Sequence, residues 1–156
     1  MIASTAVIAD GNSIDKVYHP YVLPMETEIE WRAIFQDDEN SALDDQQQQR
    51  LGIGTSFIEN WFTEIYIIGE RTASDDLNAS SVEIETKVQL TEQGEYAADW
   101  GLLIELERNF DRNIVEFSTA MLVEKEWGRW TGTLNAFIEF ERRSEQLNNE
   151  IETIVA

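Results

Sequence analysis

The chain has 156 residues, of which 31 are acidic and 11 basic, so its formal net charge is −20. This excess of carboxylates argues against binding to nucleic acid, whose phosphates would repel the protein. The chain has no cysteine, which excludes disulfides, thiolate catalysis and Cys-ligated metals. Its one histidine, His19, argues against a histidine zinc site or a catalytic triad and is expected to be a local turn or packing residue. We therefore expect neither an enzyme nor a bound metal or cofactor.

The N-terminal part, residues 1–24, lacks the alternating pattern of the rest of the chain. Met1–Ala9 is small and apolar and ends like a cleaved secretory signal, although a basic start and a full apolar core are missing. We interpret it as a clipped signal peptide, with an ordinary disordered N-terminus as the alternative. Pro20 and Pro24 favour an extended lead-in, which is expected to lie along the rim of a β-barrel domain formed by residues 25–156.

Apolar and polar residues alternate over successive segments of this domain. A period of two is the spacing at which neighbouring side chains of a strand point to opposite faces, so the pattern predicts strands and not helices. The predicted fold is all-β, an antiparallel up-and-down meander of about eight strands that forms a barrel or part of a larger barrel. The predicted strands are residues 26–36, 50–57, 61–70, 82–90, 98–106, 115–123, 130–140 and 149–155.

The connections between these strands are predicted to include long loops and short turns. Residues 37–49, which end in a glutamine run, and residues 72–81 are polar and are expected to be solvated loops. Short turns are expected near Asn60, Gly94 and Gly128, and chain order places all three at one end of the sheet. Three acidic pairs lack the spacing of a calcium loop and are interpreted as solubilising. These pairs are Asp37-Asp38, Asp44-Asp45 and Asp75-Asp76.

Alternation alone does not show whether the apolar face points into a soluble barrel or outward into a bilayer. Five aromatic residues lie beside the predicted short turns and would form a girdle at one membrane interface, or cap the core of a soluble barrel. Three arginines end apolar rows at the opposite end and would contact membrane lipid, including lipopolysaccharide, or merely flank polar loops. The girdle consists of Trp61, Tyr96, Trp100, Trp127 and Trp130, and the arginines are Arg71, Arg108 and Arg142.

The second face carries acidic residues on almost every strand, opposed by Arg32, Arg50 and Lys87. If the apolar rows face lipid, these acidic residues must line the lumen. So many like charges would repel one another in the narrow interior of an eight-stranded barrel. We therefore expect a wider, water-filled barrel built with further strands or more than one chain, and interpret the sequence as a fragment of a longer protein. The predicted lumen residues are Glu28, Glu30, Glu64, Glu83, Glu85, Asp99, Glu105, Glu124 and Glu139.

Four short motifs carry a resemblance to known proteins: Tyr18–Val22, Trp61–Glu64, Leu90–Tyr96 and Asp99–Leu103. Together they resemble secreted Gram-negative proteins of uncharacterised function that are predicted to be porin-like outer-membrane β-barrels. The resemblance covers most of the chain and implies an exported barrel in the outer membrane. It implies no catalytic residue, because these motifs define architecture and not chemistry.

The leading functional expectation is a porin-like passive pore or a structural outer-membrane protein, whose acidic lumen prefers cations. The alternative is a soluble periplasmic barrel of lipocalin type that binds an apolar ligand. The lipocalin Gly-x-Trp signature is absent, since Trp31 follows Ile29 and Glu30. A hydrolase would need a histidine beside a serine such as Ser56 or Ser118, and the predicted strands contain none. The sequence leaves the solute and the oligomeric state open.

Overall fold

The computed structural model describes residues 16–36, 45–72, 76–143 and 149–155. These residues form one eight-stranded antiparallel sheet, preceded by an extended segment. No helix in the described part of the chain is long and apolar enough to cross a membrane. The strands are β1 (Thr27–Gln36), β2 (Gln46–Ile58), β3 (Trp61–Arg71), β4 (Asn78–Gln89), β5 (Asp99–Asn109), β6 (Ile114–Trp127), β7 (Trp130–Arg143) and β8 (Asn149–Val155).

Every strand pairs with its neighbours in the sequence, so the sheet order runs from β1 to β8 without a crossover. The sheet curls into a half-barrel, and the predicted all-β up-and-down meander is confirmed. Among the described residues, strands make contacts only with their sequence neighbours, so β1 and β8 are the two open edges. Unpaired backbone groups at such edges can hydrogen-bond to a further strand.

Two segments that were expected to be loops belong to strands. Gln46–Gln49 continues β2 and pairs with Ala33–Gln36 on one side, while its last three residues pair with residues 69–71 on the other. Similarly, residues 78–81 begin β4, where a bulge between Ile68 and Gly69 shifts the register. The loop prediction was wrong because strand preference depends on the neighbouring strands more than on residue type. Polar side chains therefore did not prevent pairing.

The short connections are only partly as predicted. Two-residue turns join β2 to β3 at residues 59–60 and β6 to β7 at residues 128–129, as expected. The turn predicted around Gly94 is instead part of a longer connection over residues 90–98, because β5 begins only at Asp99. The carboxylate of Asp99 accepts a 2.8 Å hydrogen bond from the Gly94 amide and holds this connection in place.

The two faces of the sheet differ sharply in exposure. On β3, Glu64 and Tyr66 are fully buried, whereas Ile65 and Ile67, which alternate with them, are 47% and 56% exposed. The same alternation holds elsewhere: Trp31 on β1 is 66% exposed. The polar row is therefore the enclosed inner face of the curled sheet, and the apolar row forms its outer face.

The lead-in segment, defined here as residues 16–25, lies along the inner face and not along the rim as expected. Tyr18, Pro20 and Val22 are buried, and Tyr18 belongs to a small apolar cluster with Leu103, Ala120 and Leu122 on the sheet, against which Phe137 packs. Pro20 sits over Gly101, where an added Cβ would lie 2.9 Å from the Pro20 Cα. Glycine is needed there because any side chain would displace the lead-in segment.

Several sequence expectations fall outside the described residues. They include the signal-like Met1–Ala9, the pair Asp37-Asp38, and one residue of each of the other acidic pairs, Asp44 and Asp75. The predicted boundary at residue 24 falls shortly before β1, which begins at Thr27.

The turn between β6 and β7 provides a test of the fold. Gly128 has a φ of +64°, a conformation that costs other residues about 1–2 kcal/mol. We expect Gly128→Ala to lower the free energy of unfolding by about 1 kcal/mol, while Arg129→Ala in the same turn changes it by less than about 0.5 kcal/mol. Urea unfolding followed by tryptophan fluorescence measures both. Equal effects of the two substitutions would contradict the assigned turn conformation.

Candidate functional site

The nine acidic residues predicted to line the lumen all occupy the inner row of their strands. Glu64, Glu83, Glu85, Asp99 and Glu124 are buried. The others, Glu28, Glu30, Glu105 and Glu139, are half-buried. Register brings them close together, since Glu64 pairs with Glu85, and Glu85 with Glu105, across β3, β4 and β5. The inner face is thus a continuous acidic wall.

Arg50, on the inner row of β2, is the central cation of this wall. Its guanidinium forms an ion pair with Glu83 and lies 4.0 Å from a carboxylate oxygen of Glu85. Its Cζ also lies 4.0 Å from the centre of the Tyr66 ring, a cation–π distance. The Arg50 side chain is only 14% exposed, so its charge is poorly screened by water and offsets part of the cost of burying these two carboxylates.

A second cluster surrounds Glu30 on β1. Its carboxylate contacts Arg32 Nε at 2.5 Å and Lys16 Nζ of the lead-in segment at 3.2 Å. The hydroxyl of Tyr66 lies 3.1 Å from Glu30 and donates a shorter, 2.6 Å hydrogen bond to Glu64. The other Glu64 oxygen is buried without a hydrogen-bond partner among the described residues. This cluster therefore compensates Glu30 and one oxygen of Glu64, but leaves the other Glu64 oxygen without a partner.

The backbone of the lead-in segment is held by side-chain amides of the sheet. Asn135 on β7 accepts a hydrogen bond from the Tyr18 amide at 2.8 Å and donates one to the Tyr18 carbonyl at 2.9 Å. Gln89, the last residue of β4, accepts a 2.8 Å bond from the Val22 amide. Asn135 is fully buried, so both of its hydrogen bonds are shielded from water. These amides satisfy an extended backbone in the way that a neighbouring strand otherwise would.

The side chains of the lead-in segment donate to the acidic wall. The Tyr18 hydroxyl donates to Glu85 at 2.6 Å, and the Tyr21 hydroxyl donates to Asp99 at 2.7 Å. Burial, reinforced by the nearby charges of Glu85 and Glu105, raises the pKa of Tyr18 well above its ordinary value, so the hydroxyl keeps its proton. Desolvation and the hydrogen bond to Asp99 likewise raise the pKa of Tyr21.

His19 also contacts the wall. Its Nδ1 lies 2.5 Å from a carboxylate oxygen of Glu124 on β6, and the same oxygen accepts a 3.0 Å hydrogen bond from Thr133. The expectation that His19 is a local turn or packing residue is therefore wrong: it joins the lead-in segment to the sheet.

The predicted girdle and arginine residues lie at opposite ends of the outer face. The five aromatic residues are between 40% and 67% exposed, and Trp127 and Trp130 face each other beside the last short turn. Trp100 pairs with Val123 and thus lies further from the turn end. At the other end, Arg108 and Arg142 both pair with Val115, one from each side. Arg71 ends β3 and forms a 3.3 Å ion pair with Asp45.

The carboxylates of Glu83, Glu85 and Glu105 have oxygens within 4.8 Å of one another, a spacing that could hold a metal ion. Arg50 already lies against two of them, and the hydroxyls of Tyr18 and Ser118 donate to Glu85 and Glu105. Because these groups supply the positive charge and the donors, we interpret the cluster as part of the charge network and not as a metal centre.

Sequence reasoning found the acidic row but missed the residues that organise it. Arg50 was recognised only as one of the few cations on the acidic face, while Tyr18, Asn135 and Gln89 were not singled out. The sequence did contain a signal for Asn135. It lies between Leu134 and Ala136 at an inward position of β7, and an enclosed amide at such a position needs hydrogen-bond partners.

Comparisons with known proteins add no identification. No family model, curated protein or solved structure matches the chain.

The charge network makes a testable prediction about stability. Arg50→Gln removes the cation between Glu83 and Glu85, and we expect a loss of about 3–5 kcal/mol in the free energy of unfolding because buried carboxylates lose their partner. The control, Arg112→Gln, removes a 61% exposed arginine 3.9 Å from Glu70 and should cost less than about 1 kcal/mol.

The same experiment has a rescue arm. Adding Glu83→Gln to Arg50→Gln should restore part of the lost stability, because one unpaired charge is removed. A further loss in the double variant would show that the two residues are not coupled through their charges.

Proposed function

We propose that the protein is an outer-membrane β-barrel, a porin-like passive pore whose acidic lumen prefers cations. The observation that carries the proposal is the orientation of the curled sheet: its apolar rows are exposed on the outer face and its carboxylates are enclosed on the inner face. This is the alternation of a barrel that has lipid outside and water inside. The open edges of β1 and β8 are where further strands or another chain would continue the wall.

The size of the exposed apolar face supports a lipid environment. Ile29, Trp31 and Phe35 on β1 alone are 66–75% exposed, and large apolar residues that are at least 40% exposed follow on each strand whose side chains are described. Soluble proteins rarely expose contiguous apolar patches beyond a few hundred Å², because each large side chain left in water forgoes about 1.5–3 kcal/mol. Lipid chains would cover these residues without rearranging the sheet.

The residues at the two ends of the outer face fit membrane interfaces. Indole rings favour the headgroup level, where one edge is apolar and the other is polar, and Trp61, Trp127 and Trp130 flank the two-residue turns. At the opposite end, Arg71, Arg108 and Arg142 can extend toward lipid phosphates, including those of lipopolysaccharide. These placements support an exported β-barrel that lies in a Gram-negative outer membrane.

The soluble lipocalin-like alternative receives less support from the inner face. A cavity for an apolar ligand needs apolar inward side chains. The inward rows carry Glu64, Glu83 and Glu85, and the small apolar cluster around Leu103 is already covered by Tyr18. An apolar ligand would have to displace the lead-in segment and lie against carboxylates.

Lipid contact can be tested by quenching with brominated phospholipids. In reconstituted protein we expect strong quenching of single-tryptophan variants that retain Trp61 or Trp130, with the other tryptophans replaced by phenylalanine. The matched control replaces all five tryptophans and introduces Phe137→Trp on the inner face, where lipid cannot reach. Strong quenching of the inner probe only would reverse the assignment of the two faces.

Ion preference can be tested with reversal potentials across a planar bilayer under a salt gradient. Full-length protein should favour cations, and less so at high salt, because the screening length falls from about 8 Å at 0.15 M to about 3 Å at 1 M. Glu28→Gln with Glu139→Gln removes two inner charges and should weaken the preference. Glu59→Gln with Glu95→Gln removes two exposed charges in the connections and should not. Anion preference in the unmodified protein would refute the proposed pore.

A further inference from the structure

We propose that the lead-in segment is a releasable plug that narrows the passage of this barrel. The inference rests on the proposed pore function and deepens it by assigning the element that regulates the lumen. Its basis is the geometry of residues 16–25, which follow the inner face and contact β1, β4, β5, β6 and β7.

The contacts trace a path from the turn end of the sheet toward its middle. Val22 bonds to Gln89 at the end of β4, and Tyr21 bonds to Asp99 at the start of β5. Further along, the Tyr18 hydroxyl reaches Glu85, four positions before Gln89 on the same strand. At about 3.3 Å per residue, the path covers roughly 13 Å of the inner wall. Over this length the segment occupies space that a solute would otherwise use.

The attachments of the plug differ from those of the strands. A strand is bound by a ladder of backbone hydrogen bonds, whereas the lead-in segment is bound mostly by single side-chain groups, chiefly Asn135, Gln89 and the inner carboxylates. Water and cations can replace such partners one at a time. The segment can therefore leave the wall while the ladders that define the sheet remain paired.

The start of β1 provides a fixed point about which the plug can move. Ser56 donates to the Leu23 carbonyl at 2.6 Å and accepts a 3.0 Å bond from the Glu26 amide. Between them, Met25 has a φ of +59° and is 89% exposed. The anchored turn thus lies at the mouth of the passage, with the buried residues of the plug on its N-terminal side.

The plug also contacts the same inner carboxylates that would attract cationic solutes. Lys16 pairs with Glu30, and His19 contacts Glu124. Cations that enter the lumen meet the same carboxylates and compete with these groups for them. Cationic solutes are therefore the chemical class that we expect to loosen the plug.

The test measures conductance of the full chain in planar bilayers. Asn135→Leu removes both amide bonds to the Tyr18 backbone without changing the size of the side chain greatly, and we expect a several-fold rise in cation conductance. The matched control, Gln48→Leu, makes the same kind of change on the inner row of β2, where Gln48 contacts Glu70 and not the plug. It should leave the conductance close to that of the unmodified protein.

A second, independent variant guards against effects of misfolding. Gly101→Ala on β5 places a Cβ 2.9 Å from the Pro20 Cα and should push the plug off the wall without altering Asn135. We expect the same several-fold rise in cation conductance. The matched control, Gly69→Ala on β3, adds a methyl group away from the plug and should leave the conductance close to that of the unmodified protein.

The outcomes separate the plug from the pore. Equal cation conductance of the unmodified, Asn135→Leu and Gly101→Ala proteins would overturn the plug and leave the pore standing. No conductance from any of them, despite lipid quenching of Trp61, would overturn both the pore and its plug. A rise that appears equally in Gln48→Leu would also overturn the plug, because it would show a general loosening of the sheet.

Discussion

Buried carboxylates must be met by cations or hydrogen-bond donors, and this constraint organises the whole inner face. An isolated ionised group in a protein interior costs several kcal/mol, and only well-placed partners offset that cost. Arg50 supplies the cation for Glu83 and Glu85, while the hydroxyls of Tyr18 and Tyr21 supply donors for Glu85 and Asp99. The lead-in segment therefore adds hydrogen-bond donors to the inner face wherever it lies against the wall.

The strands could be predicted because alternation is a local property of the sequence. Where outward apolar or threonine side chains alternate with charged ones, as over residues 27–33 of β1 and 82–88 of β4, the expected strand is present. The predictions failed where local residue type and long-range pairing disagree. Gln46–Gln49 has the composition of a loop, but strands on both sides satisfy its backbone, and residues 90–98 contain a turn glycine although β5 starts beyond it. Boundaries of this kind depend on partners that a single segment does not reveal.

The position of the lead-in segment also depends on partners that lie far away in the sequence, so it could not be predicted from the segment itself. Tyr18 meets Asn135 across 117 residues, and nothing in the N-terminal sequence identifies that partner. Its two prolines indicate an extended chain but not its location. Two residues of the sheet are nevertheless unusual for inward strand positions. Asn135 places an amide in an enclosed row, and Gly101 has no side chain to fill the space above it. An enclosed amide and a glycine within strands indicate that another part of the chain approaches closely there.

The two faces of the sheet make opposite demands on their surroundings. Outer residues such as Ile67 and Trp31 gain by leaving water, whereas the inner row of Glu28, Glu83 and Glu124 needs donors, cations or water. A soluble barrel with an apolar cavity would require the reverse arrangement, and reversing it means slipping the register of every strand by one residue. The bonds of the lead-in segment to Glu85, Asp99 and Glu124 all depend on the present register. The acidic wall and the segment that covers it therefore fix the direction in which the apolar rows point, and this orientation supports the proposed barrel with lipid outside and water inside.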